Sequence, residues 1–151
     1  MENCIFCKIA KGEAPSHTFW QDDKHMAFLS IFPNTEGFSV VIPKEHHGSY
    51  VFSESDEAIT ELMLAVKKTA KILDAKLGDV GRCGLMFEGF GVDHLHAKLF
   101  PMHGTKDMSE WRPIGSDEKT YFDQYPGYIS SHDSDRAGDA QLAELAKRLR
   151  E

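Results

Sequence analysis

Cysteine is scarce, with three residues in 151. An odd, low count excludes a secreted disulfide scaffold and leads us to expect a reducing, cytoplasmic setting. Positive charge is in the minority: Lys and Arg number 17 against 24 Asp and Glu, a formal charge of −7. A chain this acidic lacks the footprint of a non-specific nucleic-acid binder, although a few placed groups can still hold a small anion. No apolar run approaches the roughly 20 residues of a membrane span, so no membrane partner is expected. Met1 to Cys4 has no basic stretch leading into an apolar one, so no signal peptide is expected. Repeats, low-complexity tracts and linkers are missing too. What remains is a globular composition, 41% hydrophobic and 27% charged. One domain over residues 1–151 can bury its own core without help from disulfides or metal.

Thr18–Gln21 is a short aromatic segment, and the apolar runs Met26–Ile31 and Phe38–Pro43 read as strands. The turn signal Pro33–Gly37 joins the last two as an antiparallel hairpin. Ser53 to Leu77 reads as the main helix. Ile59, Leu62, Met63, Val66, Ala70 and Leu73 form its apolar stripe, Ser53 or Ser55 its N-cap, and Gly78 its C-cap. Cys83–Glu88 and His94–Phe100 read as two further strands. Residues 104 to 135 show little periodicity, and a last helix runs from about Asp139 to Arg150. Hairpin-like strand connections around a long helix predict an antiparallel α+β fold.

His94–Phe100 alternates strictly. Alternate side chains of a strand share a face, so His94, His96, Lys98 and Phe100 point one way, about 6.6–6.8 Å apart. Leu95, Ala97 and Leu99 point into the core. Two imidazoles and an ammonium are rarely lined up merely to fill a sheet, and the alternative is a face that is simply solvated. At the N-terminus Cys4 and Cys7 form a C-x-x-C pair, either half a zinc site or a redox pair. A redox motif should follow a parallel strand, and none precedes Cys4. For zinc, His46, His47 and His94 supply the further ligands of a Cys2His2 set. Cys83 reads as a small buried residue. His17, His25 and His132 read as surface or loop, and His103 as core or surface within possible reach of the polar strand face. Trp111, Tyr121, Tyr125 and Tyr128 either pack on the domain or a partner, or close over a substrate.

Four segments taken together resemble the histidine triad superfamily: Cys4–Ile9, Phe28–Ile31, Gly37–His46 and His94–Pro101. The match spans about residues 4 to 103. The resemblance implies an α+β fold with an antiparallel sheet and a long helix, usually a homodimer with one continuous sheet. It implies hydrolysis or transfer of nucleotides at the α-phosphate of nucleoside phosphoramidates or dinucleoside polyphosphates. His96 takes the place of the nucleophile that becomes nucleotidylated. Cys4, Cys7, His46 and His94 take the places of zinc ligands, which selects His46 over His47. Ile5, Phe6, Ser30, Ile31 and Gly91 fall at nucleotide-binding positions, and as apolar residues Ile5, Phe6 and Ile31 could equally be core. The chemistry is coherent by itself. Only a neutral imidazole can attack phosphorus, and a cation such as Lys98 disfavours the imidazolium and offsets phosphate charge. Covalent catalysis then divides one hard displacement into two steps.

The chain also departs from the family pattern. Lys98 replaces the third histidine, and Ser30 replaces the aspartate that contacts ribose. Phe90 to Asp93 replaces a Gly-Gln-Ser phosphate contact, and Phe38 replaces a frequent histidine. Two rival functions follow. One is a nucleotide-binding or regulatory module without turnover. The other is a hydrolase whose zinc activates water, which requires an open coordination position that four protein ligands would close.

Overall fold

The computed structural model describes residues 3–107, 111, 113, 115, 123–125, 127 and 135–151. Tyr121, Tyr128 and His132 lie outside them. The elements run α1 (Ile5–Ala10), β1 (His17–Gln21), β2 (His25–Leu29), β3 (Ser39–Pro43), a 3-10 turn (Val51–Ser53), α2 (Asp56–Lys76), β4 (Cys83–Met86), β5 (Ala97–Pro101) and α3 (Asp139–Arg150). The five strands form one antiparallel sheet in the order β1-β2-β3-β5-β4. β2 and β3 are buried along their whole length, which is why their sequences read as continuous apolar runs rather than as alternation.

The two sheet faces carry different cargo. Ala27, Leu29, Val41, Leu95, Ala97 and Leu99 pack against Leu62, Val66 and Leu73 of α2 and Leu142, Leu145 and Leu149 of α3. The opposite face, built from Met26, Phe28, Val40 and Ile42, is covered by Phe6, Ile9 and Ala10 of α1. Register fixes what lies beside what: Val40 pairs with Lys98 and Val41 with Ala97. His94, His96 and Lys98 therefore stand on the α1 face, as the alternation predicts.

Several boundaries differ from the sequence reading. α2 starts at Asp56, with Ser55 as N-cap accepting the Ala58 N–H at 3.2 Å, while Ser53 ends the 3-10 turn. The helix ends at Lys76 and its C-cap is Leu77, not Gly78. Leu77 turns extended at φ −92°, donates its N–H to the Leu73 carbonyl and drops its side chain into the core, so no left-handed glycine is needed. Met63 is exposed. The buried stripe runs through Leu62, Ala65, Val66, Thr69 and Leu73, and the Thr69 hydroxyl is satisfied by the Ala65 carbonyl at 3.0 Å. β4 ends at Met86 instead of Glu88. β5 begins at Ala97 instead of His94, because the Leu95 N–H donates to the His47 carbonyl rather than into the sheet ladder. The β2–β3 turn needs its glycine: Gly37 sits at φ +82°, and a Cβ there would meet Leu77 Cδ1 at 2.8 Å.

His25, expected at the surface, is buried on β2. Burial pushes its pKa below the usual 6.5, outweighing the nearby carboxylates of Asp22 and Glu61; Lys24 acts in the same direction as burial. A folded pKa below the unfolded one means that stability is complete above about 6.5. It is lost as pH falls from there through the folded value, because the unfolded chain takes up the proton first. We expect a His25→Gln variant to lose less stability than the wild type between pH 7 and 5, measured by urea denaturation at each pH. Parallel acid limbs in the two proteins would show that His25 contributes nothing to the acid sensitivity.

Candidate functional site

The site is built where the segment entering β5 crosses the loop after β3, under α1. The His94 ring is fully buried, and its Nε2 lies 2.9 Å from the Pro43 carbonyl. A carbonyl can only accept, so Nε2 carries the proton and Nδ1 presents its lone pair. That lone pair faces two sulfurs, Cys4 Sγ and Cys7 Sγ, each at 3.5 Å. His46 Nδ1 lies 3.3 Å from Cys7 Sγ. The ligand atoms of Cys4, Cys7, His46 and His94 all fall within 4.8 Å of one another, a group that could hold a metal ion. The two sulfurs come together because Cys4 is the N-cap of α1, its Sγ accepting the Cys7 N–H one turn on. His47 is not in the group; its Nδ1 pairs with Glu54 at 2.9 Å.

His96 is also buried, with its ring edge-on to Phe6 at 5.5 Å between centroids. Its Nδ1 lies 2.7 Å from the His94 carbonyl. The same reasoning puts the proton on Nδ1 and leaves Nε2 as a free lone pair. Burial lowers the pKa of His96 and is the largest cause. The hydrogen bond to the His94 carbonyl opposes it, Lys98 adds to it, and Glu88 opposes it. Burial likewise lowers His94. The cation invoked for His96 thus acts in the expected direction, but desolvation comes first.

Lys98 is mostly covered and pairs with Glu88, whose side chain is 8% exposed; Nζ to Oε2 is 2.5 Å. Glu88 also accepts the Tyr125 hydroxyl, and the Tyr125 ring stacks on Phe90 with centroids 6.2 Å apart. Sequence reasoning missed Glu88. The available signal was register: Met86 pairs with Lys98, so Glu88, two residues on, continues the same side of the sheet edge. Glu88, Phe90, Gly91, Lys98 and Tyr125 line a cleft of about 460 Å³. Gly91 also borders a second cleft, about 370 Å³, lined by Cys4, Ile5 and His46.

The other expected residues fall as follows. Phe6 covers His94 and His96. Ile5 is partly exposed beside the second cleft. The Ser30 N–H donates to the Phe38 carbonyl at 2.9 Å, which sets Ser30 at the end of β2 opposite the stacked Phe38 and Phe100 rings. Its hydroxyl accepts the Phe32 N–H. Ile31 is 37% exposed, and its carbonyl accepts the Ala137 N–H just before α3. Asp93 lies outside any strand. Its carboxylate accepts the Ser49 N–H at 3.1 Å, and that bond holds its pKa below the usual range. His103 points away from this face and bridges Asp79 and the Glu36 carbonyl. Cys83 is half-buried against Asp74, and burial pushes its pKa up to about 12. Trp111 is exposed.

Comparison with known proteins fits this arrangement. The HIT domain family matches residues 11–105. "Protein hit" of Bacillus subtilis is 34% identical over 128 residues, 82% of this chain and 84% of that protein. An adenosine 5'-monophosphoramidase of Schizosaccharomyces pombe is 36% identical over 103 residues, 66% of this chain and 74% of that protein. Among solved structures, a Zn-bound histidine triad family protein from Mycobacterium smegmatis superposes with a TM-score of 0.70 at 20% identity, covering 99% of this chain and 91% of that one, a likeness of fold. With 95 of its 151 residues matched by the family and the His-x-His strand entry in place, the chain belongs to the histidine triad (HIT) family.

Proposed function

We propose that this protein is a nucleotide hydrolase or nucleotidyltransferase. It cleaves at the α-phosphate of a nucleoside phosphoramidate or dinucleoside polyphosphate through a nucleotidyl-His96 intermediate. One observation carries the reading: His96 Nδ1 is 2.7 Å from the His94 carbonyl, which keeps the proton there and leaves the Nε2 lone pair for attack. Relatives named as adenosine 5'-monophosphoramidases support the substrate class.

In the first step Nε2 attacks the α-phosphorus. The bond to the leaving group breaks, and its electron pair departs with that group, which takes up a proton when it is an amine. Lys98 offsets charge gathering on the phosphate oxygens. In the second step water attacks the same phosphorus, the P–Nε2 bond breaks, the pair returns to the imidazole and a proton leaves to solvent. A second acceptor in place of water makes the enzyme a transferase. Ile5, Phe6, Ser30 and Ile31 hold the nucleoside, and the Gly91 backbone approaches the phosphate. His94 serves through its carbonyl, as a positioning residue.

Zinc is the metal we assign to Cys4, Cys7, His46 and His94. Tetrahedral zinc with thiolate and imidazole ligands places sulfur and nitrogen about 3.6 Å apart, close to the 3.3–3.5 Å seen here. The carbonyl-bound His94 supplies the supporting contact such ligands ordinarily have. Four protein ligands close the site, so zinc would supply a cross-link between α1, the loop after β3 and the entry to β5. A cytoplasmic homodimer of single-domain subunits belongs to the same reading.

Intact-mass spectrometry tests the intermediate. Protein mixed with adenosine 5'-phosphoramidate and sampled within seconds at neutral pH should gain one adenylyl group, and a His96→Ala protein should not. Nucleotide retained without adduct or product would favour the second reading, a binding module. The pairing of Lys98 with Glu88 at the third triad position is the observation behind that alternative.

A further inference from the structure

The reacting face has a direction. Phe6 covers it at His94 and His96, and Ile5 borders the cleft beside the cysteines. Lys98 stands one strand repeat beyond His96, and Glu88, two residues past Met86 on the edge strand β4, pairs with it from the side of β5 opposite β2 and β3. A nucleoside held under α1 and at the end of β2 by Ile5, Phe6, Ser30 and Ile31, with its phosphorus at His96, sends its leaving group across the sheet toward the β4 edge, the cleft of Glu88, Phe90, Lys98 and Tyr125. The charge at that end is unusual for a site that handles phosphates. The Glu88 side chain is 8% exposed and its carboxylate binds both the Lys98 ammonium and the Tyr125 hydroxyl. The local cation is thus already matched by an anion of the protein. A leaving group with several negative charges would meet a carboxylate that is itself largely withdrawn from water, where like charges repel more strongly than between two exposed groups. An amine leaving group carries no such penalty.

We propose that Glu88 is a specificity-determining residue, turning the leaving-group end of the cleft against polyanionic leaving groups and toward uncharged or cationic amines. The inference rests on the reading of His96 as nucleophile and on the nucleoside lying at the α1 end. It chooses between the two substrate classes that reading leaves open, and it names the residue that makes the choice.

The test compares wild type, Glu88→Gln and Glu88→Asp on adenosine 5'-phosphoramidate and diadenosine tetraphosphate, whose leaving groups are ammonia and ATP. We expect the wild type to prefer the phosphoramidate. Glu88→Gln should raise kcat/KM for the tetraphosphate relative to the phosphoramidate by on the order of tenfold, and Glu88→Asp should keep the wild-type ratio. A mere prop for Lys98 would predict that both substrates lose rate together with the ratio unchanged, and that result overturns the proposal. Removing one partner of a covered ion pair can weaken the fold, so Glu88→Gln/Lys98→Gln is the second variant. It should fold without a lone charge and should show a smaller gain on the tetraphosphate than Glu88→Gln alone, because the repelling carboxylate is gone but the Lys98 ammonium is gone with it. A second readout does not need turnover. In a His96→Ala background, adding Glu88→Gln should tighten ATP relative to AMP in calorimetric titrations. If the wild type cleaves neither substrate, the catalytic reading fails and these titrations still decide the charge selection. An unchanged ATP-to-AMP ratio there overturns it.

Discussion

Replacing His96 with alanine is expected to lower steady-state turnover of a nucleoside phosphoramidate by about 10⁴-fold or more, the scale on which covalent enzymes fail when the nucleophile is removed. The loss should fall on kcat with KM nearly unchanged. In the proposed reading the nucleoside is held mainly by groups other than the imidazole, with Phe6 also braced by Phe28, and the Nε2 lone pair matters only once a bond to phosphorus is forming. His96→Gln should be equally inactive. It keeps an amide able to satisfy the His94 carbonyl at 2.7 Å but has no nucleophilic nitrogen. A His96→Ala enzyme within tenfold of wild type would remove the covalent route altogether and move attention to a directly activated water.

The polar strand face was legible because alternation needs only spacing: Leu95, Ala97 and Leu99 do reach the core, and His94, His96 and Lys98 the other side. The four-residue group that could hold a metal was legible through the family resemblance, which picks His46, the residue the fold brings to the group, rather than His47. The hydrogen bonds that make the imidazoles useful were not legible. The Pro43 and His94 carbonyls are backbone atoms, and no residue type announces them. Glu88 was missed for a related reason. Its partner is ten residues away, and only strand register brings the two together. His25 read as surface or loop because no companion residues mark a site around it. Asp22, Asp23 and Lys24 occupy the turn, whereas His25 itself is the first residue of a fully buried strand. The Leu77 cap shows the same limit: a helix can end by burying an apolar side chain instead of using the glycine beside it.

Removing the metal should have the largest effect on stability. Zinc bound at a thousandfold excess over its Kd contributes about 4 kcal/mol by mass action, which in a domain of this size is roughly 8–16 °C in Tm. A Cys7→Ser protein should therefore bind far less than one zinc per chain and melt lower by about that amount. Adding a chelator should bring the wild type to the same Tm while leaving the variant's unchanged. Cys7 is the strongest choice of the four because it is buried and its sulfur lies against both His46 and His94. The sheet with α2 and α3 carries its own apolar core, so far-ultraviolet circular dichroism should persist when the metal is lost. What the metal holds is α1, six residues too short to be helical alone. With α1 go Ile5 and Phe6, so the demetallated enzyme should show a raised KM for the nucleotide and a smaller fall in kcat, the reverse of the His96 variant. Equal melting of the wild type with and without chelator, at full measured zinc loss, would mean that the Phe6, Ile9 and Ala10 contacts on Met26 and Phe28 suffice to hold α1.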